Sequence, residues 1–160
     1  MPGAAIMAAR SALRVGSGLV SVSCPDDKFD LYASFTPSLI IKPRQKESDF
    51  YNTHAIERKV NTLVIGPGLD LTIDDTVSLV RHSLESGLNT VLDAGAIRNF
   101  KDQQEIFLGL DHTHTVLTPH EGEFAALFPD LSKGERSRRD KAIAAAKLTG
   151  AVVVLKGPGT

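Results

Sequence analysis

The sequence has no tryptophan and a single cysteine, Cys24. A lone thiol excludes an internal disulfide and a cysteine-based metal cluster, and it fits a reducing, cytoplasmic compartment. Net charge is almost absent. Eighteen basic against 19 acidic residues leave a formal −1, which offers no pull toward nucleic acid or an anionic membrane surface. A long apolar run is missing as well: about 18 consecutive apolar residues are needed to cross a bilayer, and no stretch comes near that. Met1 does not open on a charged segment followed by a long apolar core, the pattern of a secretory signal. Internal repeats and low-complexity tracts are lacking. What remains is 160 residues, 42% apolar and 23% charged, the length and composition of one globular domain, 1–160.

Strands and helices alternate along the chain. Gly3 to Val15 is alanine-rich and reads as a helix with Ile6, Ala9 and Leu13 on one face, ended by Gly16 and Gly18. Leu19 to Ser23 alternates like a strand, with Cys24 just after it as a partly buried bystander. Leu39 to Ile41 predicts a short strand, Lys42-Pro43-Arg44 a loop, and Phe50 to Lys59 a short helix. Lys42, Arg44 and Lys46 read as a solvated edge. Thr62 to Ile65 is a buried strand that runs into Gly66-Pro67-Gly68, a turn allowing close backbone approach. Thr72 and Asp75 have capping-box-like spacing and open a helix to Ser86, with Val77, Val80 and Leu84 inward and Gly87 as its stop. Thr90 to Leu92 is the next strand, with Asp93 at its carboxyl end, and a short helix covers roughly residues 102–110.

The stretch around His120 is the most informative. Val116-Leu117 predicts a strand, and an apolar helical pattern follows. Thr118 can cap that helix, Pro119 suits its first position, and Glu121 completes a capping box with Thr118. His120 then lies in the first turn, just past a strand's carboxyl end, where open α/β sheets bind ligands. The dipole there favours the neutral imidazole, which both donates and accepts hydrogen bonds. Glu135 to Leu148 reads as a helix ending at Gly150. Ala151 to Leu155 is wholly apolar, as expected of a parallel strand buried on both faces. Lys156-Gly157-Pro158-Gly159-Thr160 follows it, with the ingredients of a phosphate cradle: a lysine, exposed backbone amides and a hydroxyl. The Gly-Lys-Ser/Thr order of a Walker loop is absent. His112 and His114, two histidines in a polar loop, read as surface, so no metal site is assigned.

Right-handed crossovers between these strands imply a parallel sheet with Gly68, Asp93, His120 and Lys156 on one edge. These segments carry a resemblance. Gly3-Ala4-Ala5 with the following ARSALRVGSGLVSV, VIGPGL at 64–69, LTPHEGEF at 117–124 and VVVLKGPGT at 152–160 resemble the ADP- or ATP-dependent NAD(P)H-hydrate dehydratases. The resemblance implies an α/β, ribokinase-like three-layer sandwich with a mostly parallel sheet, incomplete at the C-terminus. It also implies that a nucleotide, with Mg2+, phosphorylates the ring hydroxyl of hydrated NADH or NADPH and that phosphate then leaves. Ala5, Gly68 and His120 would touch the hydrated dinucleotide. Lys156, Gly157, Pro158, Gly159 and Thr160 would hold ADP or ATP.

The chain departs from the family in places. Asp93-Ala94-Gly95-Ala96-Ile97-Arg98 stands where the family usually has Asp-Ala-Asp-Ala-Leu-Asn, and Asp70 follows Gly-Pro-Gly-Leu where glycine is usual. The catalytic aspartate of the family's Gly-x-Gly-Asp motif has no counterpart here, so no catalytic residue is assigned within the chain. A homo-oligomer or a complementing C-terminal fragment is the expected partner. Two other readings stay open: a nucleotide-binding remnant or subunit, and a kinase of the same fold acting on a different small alcohol.

Overall fold

A computed structural model describes residues 1–46, 49–50, 59–69, 72–101, 104–108 and 114–158. The chain divides into two compact units, residues 1–60 and 61–160.

In the first unit, helix α1 spans Pro2–Arg14 with proline in its first turn, where the missing N–H costs nothing. Ile6 and Ala9 are buried, as the helical spacing predicts. Strand β1, Ser21–Pro25, pairs in parallel with β2, Ile40–Arg44. A 3-10 turn at Asp26–Lys28 and helix α2, Phe29–Ala33, connect them. Both strands lie further along than the sequence indicates. Lys42-Pro43-Arg44 belongs to β2 rather than to a loop, with Pro43 opposite Cys24. Proline is tolerated there because no further strand pairs with β2 among the described residues. Cys24 sits within β1, fully buried in a cluster with Ile6, Ala9, Val22, Tyr32 and Leu39, so it is a core residue and not a partly exposed one. Most of the helix expected at 50–59 lies outside the described residues.

The second unit holds a parallel sheet in the order β3-β4-β5-β6. Its strands are Thr62–Ile65, Asn89–Leu92, Thr115–Leu117 and Val152–Val153. Helix α3, Ile73–Glu85, connects β3 to β4, and the Thr72 hydroxyl caps it by accepting from Asp75 N at 3.1 Å. Its buried residues are Thr76, Leu79, Val80 and Ser83. Of the three inward residues expected, Val80 alone is fully buried, and the buried stripe is rotated from the one expected. A short helix α4, Gly95–Arg98, follows β4. The 102–110 segment shows a 3-10 turn at Gln104–Phe107. Helices α5, Glu121–Leu127, and α6, Pro129–Ser132, come after β5. Helix α7, Arg138–Thr149, starts later than expected because Ser137 is its cap, accepting from Asp140 N. It ends at Gly150, whose φ of 73° is left-handed.

Register explains the burial. Ile65, Leu92, Leu117 and Val153 lie side by side across the sheet; the first three are buried. On the other face the row Val64, Val91, Val116, Val152 runs across the same strands. Its ends are open: Val64 is 51% and Val152 53% exposed. The segment 151–155 therefore alternates, with Ala151 and Leu155 buried and Val152 and Val154 exposed, rather than being buried on both faces. No helix among the described residues is long and apolar enough to cross a membrane.

Two outcomes follow. Gly66 has φ +122°, and a Cβ there would collide with the Asp93 carbonyl oxygen. Gly66→Ala should lower the unfolding free energy by at least about 2 kcal/mol, read from the denaturant midpoint. Burial pushes the Cys24 thiol upward from its ordinary value, as do Asp26 and Asp27, against a lowering by Arg44. The unfolded chain then loses its thiol proton first, near pH 8.5, so stability falls as pH rises from there through the higher folded value. The alkaline decline in midpoint should be shallower in Cys24→Ala; equal slopes would remove the thiol as the cause.

Candidate functional site

The loops that follow β3, β4, β5 and β6 all emerge at the carboxyl edge of one parallel sheet, because each crossover returns the chain in the same direction. Gly68 belongs to the turn after β3, closed by Leu69 N donating to the Gly66 carbonyl at 3.0 Å. Asp93 follows β4, and its amide donates to the Ile65 carbonyl at 3.0 Å. His120 and Lys156 form a parallel bridge beyond the ends of β5 and β6, carried by Lys156 N donating to Pro119 O at 2.8 Å. Gly68, Asp93, His120 and Lys156 are thus brought to one edge, as the strand-loop-helix order predicts.

Asp93 and Lys156, 63 residues apart, meet directly. Lys156 Nζ donates to Asp93 Oδ1 and forms an ion pair with it. The same oxygen accepts from the Ala94 amide at 2.8 Å. Ala94 is held at φ 46°, ψ −115°, a conformation costing about 1–3 kcal/mol for a residue with a Cβ. Its carbonyl accepts from both Ile97 N and Arg98 N. The strained corner is therefore fixed by Asp93 on one side and by α4 on the other. Gly95 has its own reason: a Cβ there would stand 3.2 Å from the Leu69 Cβ and 3.4 Å from the Gly66 carbonyl oxygen. Close approach of the β3 and β4 loops makes a side chain tight here, where the resemblance leads one to expect aspartate.

His120 is the cap of α5 itself, not a first-turn residue. Its Nδ1 accepts from Gly122 N at 3.0 Å and Glu123 N at 3.2 Å. Glu123, 8% exposed, returns the bond by accepting from His120 N at 3.0 Å. The capping box is thus His120 with Glu123, two residues beyond the expected Thr118 with Glu121. Thr118 instead continues the pairing with β4: its amide and hydroxyl both donate to the Leu92 carbonyl, and the helix starts later, at Glu121. Two N–H donors on Nδ1 require that nitrogen to be unprotonated, so the neutral ring carries its proton on Nε2.

Ala5 lies in the first unit, on α1, packed against that unit's core. Of the 156–160 loop, Lys156, Gly157 and Pro158 are described; Gly159, Thr160 and His112 lie outside the described residues. His114 Nδ1 stands 3.3 Å from Asn89 Oδ1. No cluster of His, Cys, Asp and Glu fit to hold a metal occurs among the described residues.

Sequence reasoning missed Arg138, at the start of α7. Its Nη1 donates to the Pro158 carbonyl at 3.1 Å and its Nη2 to the Leu155 carbonyl at 3.0 Å. Its Nε lies 3.0 Å from Glu121 Oε1, an ion-pair distance at which the N–H is not aligned to donate. Only the Ser137-Asp140 capping pair hinted that a helix N-terminus lay there; nothing in the sequence pointed to its neighbours.

The parallel sheet with loops converging on its carboxyl edge defines a ribokinase-like α/β protein. A crystal structure of a ribokinase-like superfamily protein from Enterococcus faecalis is similar, with a TM-score of 0.76 at 22% identity, over 97% of this chain and 53% of that one. The sequence profile of the NAD(P)H-hydrate dehydratases matches residues 1–160, and the chain belongs to that family. It is 32% identical to the bifunctional NAD(P)H-hydrate repair enzyme of Thermosynechococcus vestitus, over 99% of this chain and 31% of the relative. It is also similar to the ADP/ATP-dependent NAD(P)H-hydrate dehydratase of Bacillus subtilis, co-crystallized with ATP and Mg2+ and soaked with CoA. That likeness has a TM-score of 0.73 at 27% identity, covering 98% of this chain and 55% of that one. The chain thus spans about a third to a half of the proteins it matches.

The cap geometry yields a direct test. His120→Ala removes the acceptor of two amides at the start of α5, so it should cost about 1 kcal/mol of stability. A thermal or denaturant melt of the variant reads it, and an unchanged midpoint would show that water replaces the imidazole without loss.

Proposed function

We propose that the chain takes part in the ADP- or ATP-dependent dehydration of hydrated NAD(P)H, as part of a ribokinase-like domain to which residues 1–160 contribute. The observation that carries this reading is the His120–Lys156 bridge, which sets two differently equipped loops side by side at the carboxyl edge. Gly68 and His120 are the proposed contacts for the hydrated dinucleotide. Lys156, Gly157, Pro158, Gly159 and Thr160 are the proposed contacts for the adenine nucleotide.

The chemistry suits such a site. The ring hydroxyl of the hydrated nicotinamide attacks the terminal phosphorus of ATP or ADP, releasing ADP or AMP. Phosphate then leaves from carbon and an adjacent C–H proton is lost, restoring the ring double bond. Phosphoryl transfer asks a protein mostly for positioning and charge neutralisation. Lys156 supplies charge, and its pairing with Asp93 holds the ammonium group at the sheet edge until phosphate competes for it. His120 keeps Nδ1 on the helix, and its Nε2, 3.5 Å from Glu123 Oε1, is the nitrogen left to donate to the dinucleotide.

Mg2+ fits as a companion of the nucleotide. Asp93 Oδ1 is engaged by Lys156 and Ala94, so phosphate oxygens and water would supply most of the ion's ligands. When bound, it would neutralise charge on the transferring phosphoryl group. The general base is expected from a Gly-x-Gly-Asp segment, supplied in cis or by a partner polypeptide, since the 160 residues contain none.

Calorimetric titration with ADP, ATP and hydrated NADPH tests the reading. Lys156→Ala should weaken nucleotide binding about tenfold or more, as expected for losing a charge-assisted contact to phosphate, and His120→Ala should weaken binding of hydrated NADPH. The chain alone should not turn over, and adding a polypeptide that carries Gly-x-Gly-Asp should restore NADPH formation. Turnover by residues 1–160 alone would overturn the assignment of the base, and binding of a different small alcohol in place of hydrated NADPH would favour a kinase.

A further inference from the structure

We propose that Arg138 is a positioning residue that holds the loop 155–158 in the shape in which it receives the phosphates of an adenine nucleotide; the nucleotide half of this inference rests on the preceding reading. One guanidinium reaches three points. It donates to the carbonyls of Leu155 and Pro158, which bracket the loop, and it sits 3.0 Å from Glu121. Glu121 is the first residue of α5, next to the capping His120. Arg138 therefore ties the loop after β6 to the helix start after β5, so the two loops keep one spacing.

Gly157 has a physical reason in this arrangement. Its φ is not in the left-handed region, so conformational freedom does not explain the glycine. A Cβ on residue 157 would run into the Arg138 guanidinium. The glycine is the space that the guanidinium fills. Loop carbonyls that end on a cation also keep their negative ends from repelling an incoming phosphate. Lysine cannot do the same, because its single ammonium lacks the planar fork that spans two acceptors at fixed spacing.

The test uses the full chain and two readouts. Hydrogen exchange of the segment 152–158 reports the clamp without any ligand. Titrations with ADP, with ATP and with hydrated NADPH report binding. In Arg138→Lys the segment should exchange faster, and nucleotide affinity should fall about tenfold, as loss of a paired carbonyl grip implies. Hydrated NADPH affinity should stay within about threefold, since lysine keeps a cation facing Glu121 and loses the fork across the two loop carbonyls. Gly157→Ala should produce the same pair of effects by displacing the guanidinium. Placed on Arg138→Ala, the Gly157→Ala change should add less than about a twofold loss, because the group it displaces is already gone.

Unchanged exchange in Arg138→Lys would overturn the clamp. Equal losses for nucleotide and hydrated NADPH, with full additivity of the two substitutions, would reduce Arg138 to general structural support and overturn the proposal. A wild-type chain that takes up neither ADP nor ATP, yet whose loop loosens in Arg138→Lys, would overturn the nucleotide reading while confirming the clamp.

Discussion

The pairing of β5 with β6 does not stop where the strands stop. Two further bonds, from the Val154 amide to the Leu117 carbonyl and from the Lys156 amide to the Pro119 carbonyl, carry the register on to His120 and Lys156. Everything at the carboxyl edge depends on this extension. It fixes where the lysine side chain starts, and hence which carboxylate it reaches across the sheet. Without it, side-chain contacts such as the Arg138 bridge to Glu121 would have to hold the two loops together. With it, a histidine that caps a helix and a lysine that opens a glycine loop are neighbours by backbone geometry.

The edge is also tightly packed at its glycines. Gly66 yields its Cβ position to the Asp93 carbonyl, Gly95 packs against Leu69, and Gly157 gives its space to Arg138. Ala94 keeps a Cβ in a strained conformation and is secured by hydrogen bonds on both sides. Strain that persists at one corner must be over-determined by its surroundings. Here Asp93 does this locally while Lys156 holds Asp93. Ion pair and strained corner are one device, and its effect is to keep a cation at the edge of the sheet with little freedom. The opposite sheet face is different. Its valine row is half open at both ends.

Much of this architecture is written in local patterns. The 3.6-residue spacing of Ile6 and Ala9, the capping pair Thr72 and Asp75, the glycine after α7 and the apolar run of β3 each act over a few residues. Periodicity and capping are short-range physics, so these elements are legible in the chain alone. Their alternation, with the right-handedness of crossovers, is enough to put the four loops on one edge. Composition likewise settled the lone thiol and the near-neutral charge.

Tertiary structure decided what depends on partners far away in sequence. Thr118 looks like a helix cap until the Leu92 carbonyl claims it, 26 residues back, and His120 then takes the cap. Pro43 looks like a loop residue until β1 offers it a place in a two-stranded sheet. Gly157 looks like a source of exposed amides until Arg138 occupies the space beside it, and Asp93 reaches Lys156 across two intervening strand pairings. In each case a hydrogen-bonding group chose between a near partner and a distant one. Local sequence carries the first option alone, since a chain shows the distant partner only once the sheet register has brought it within about 3 Å.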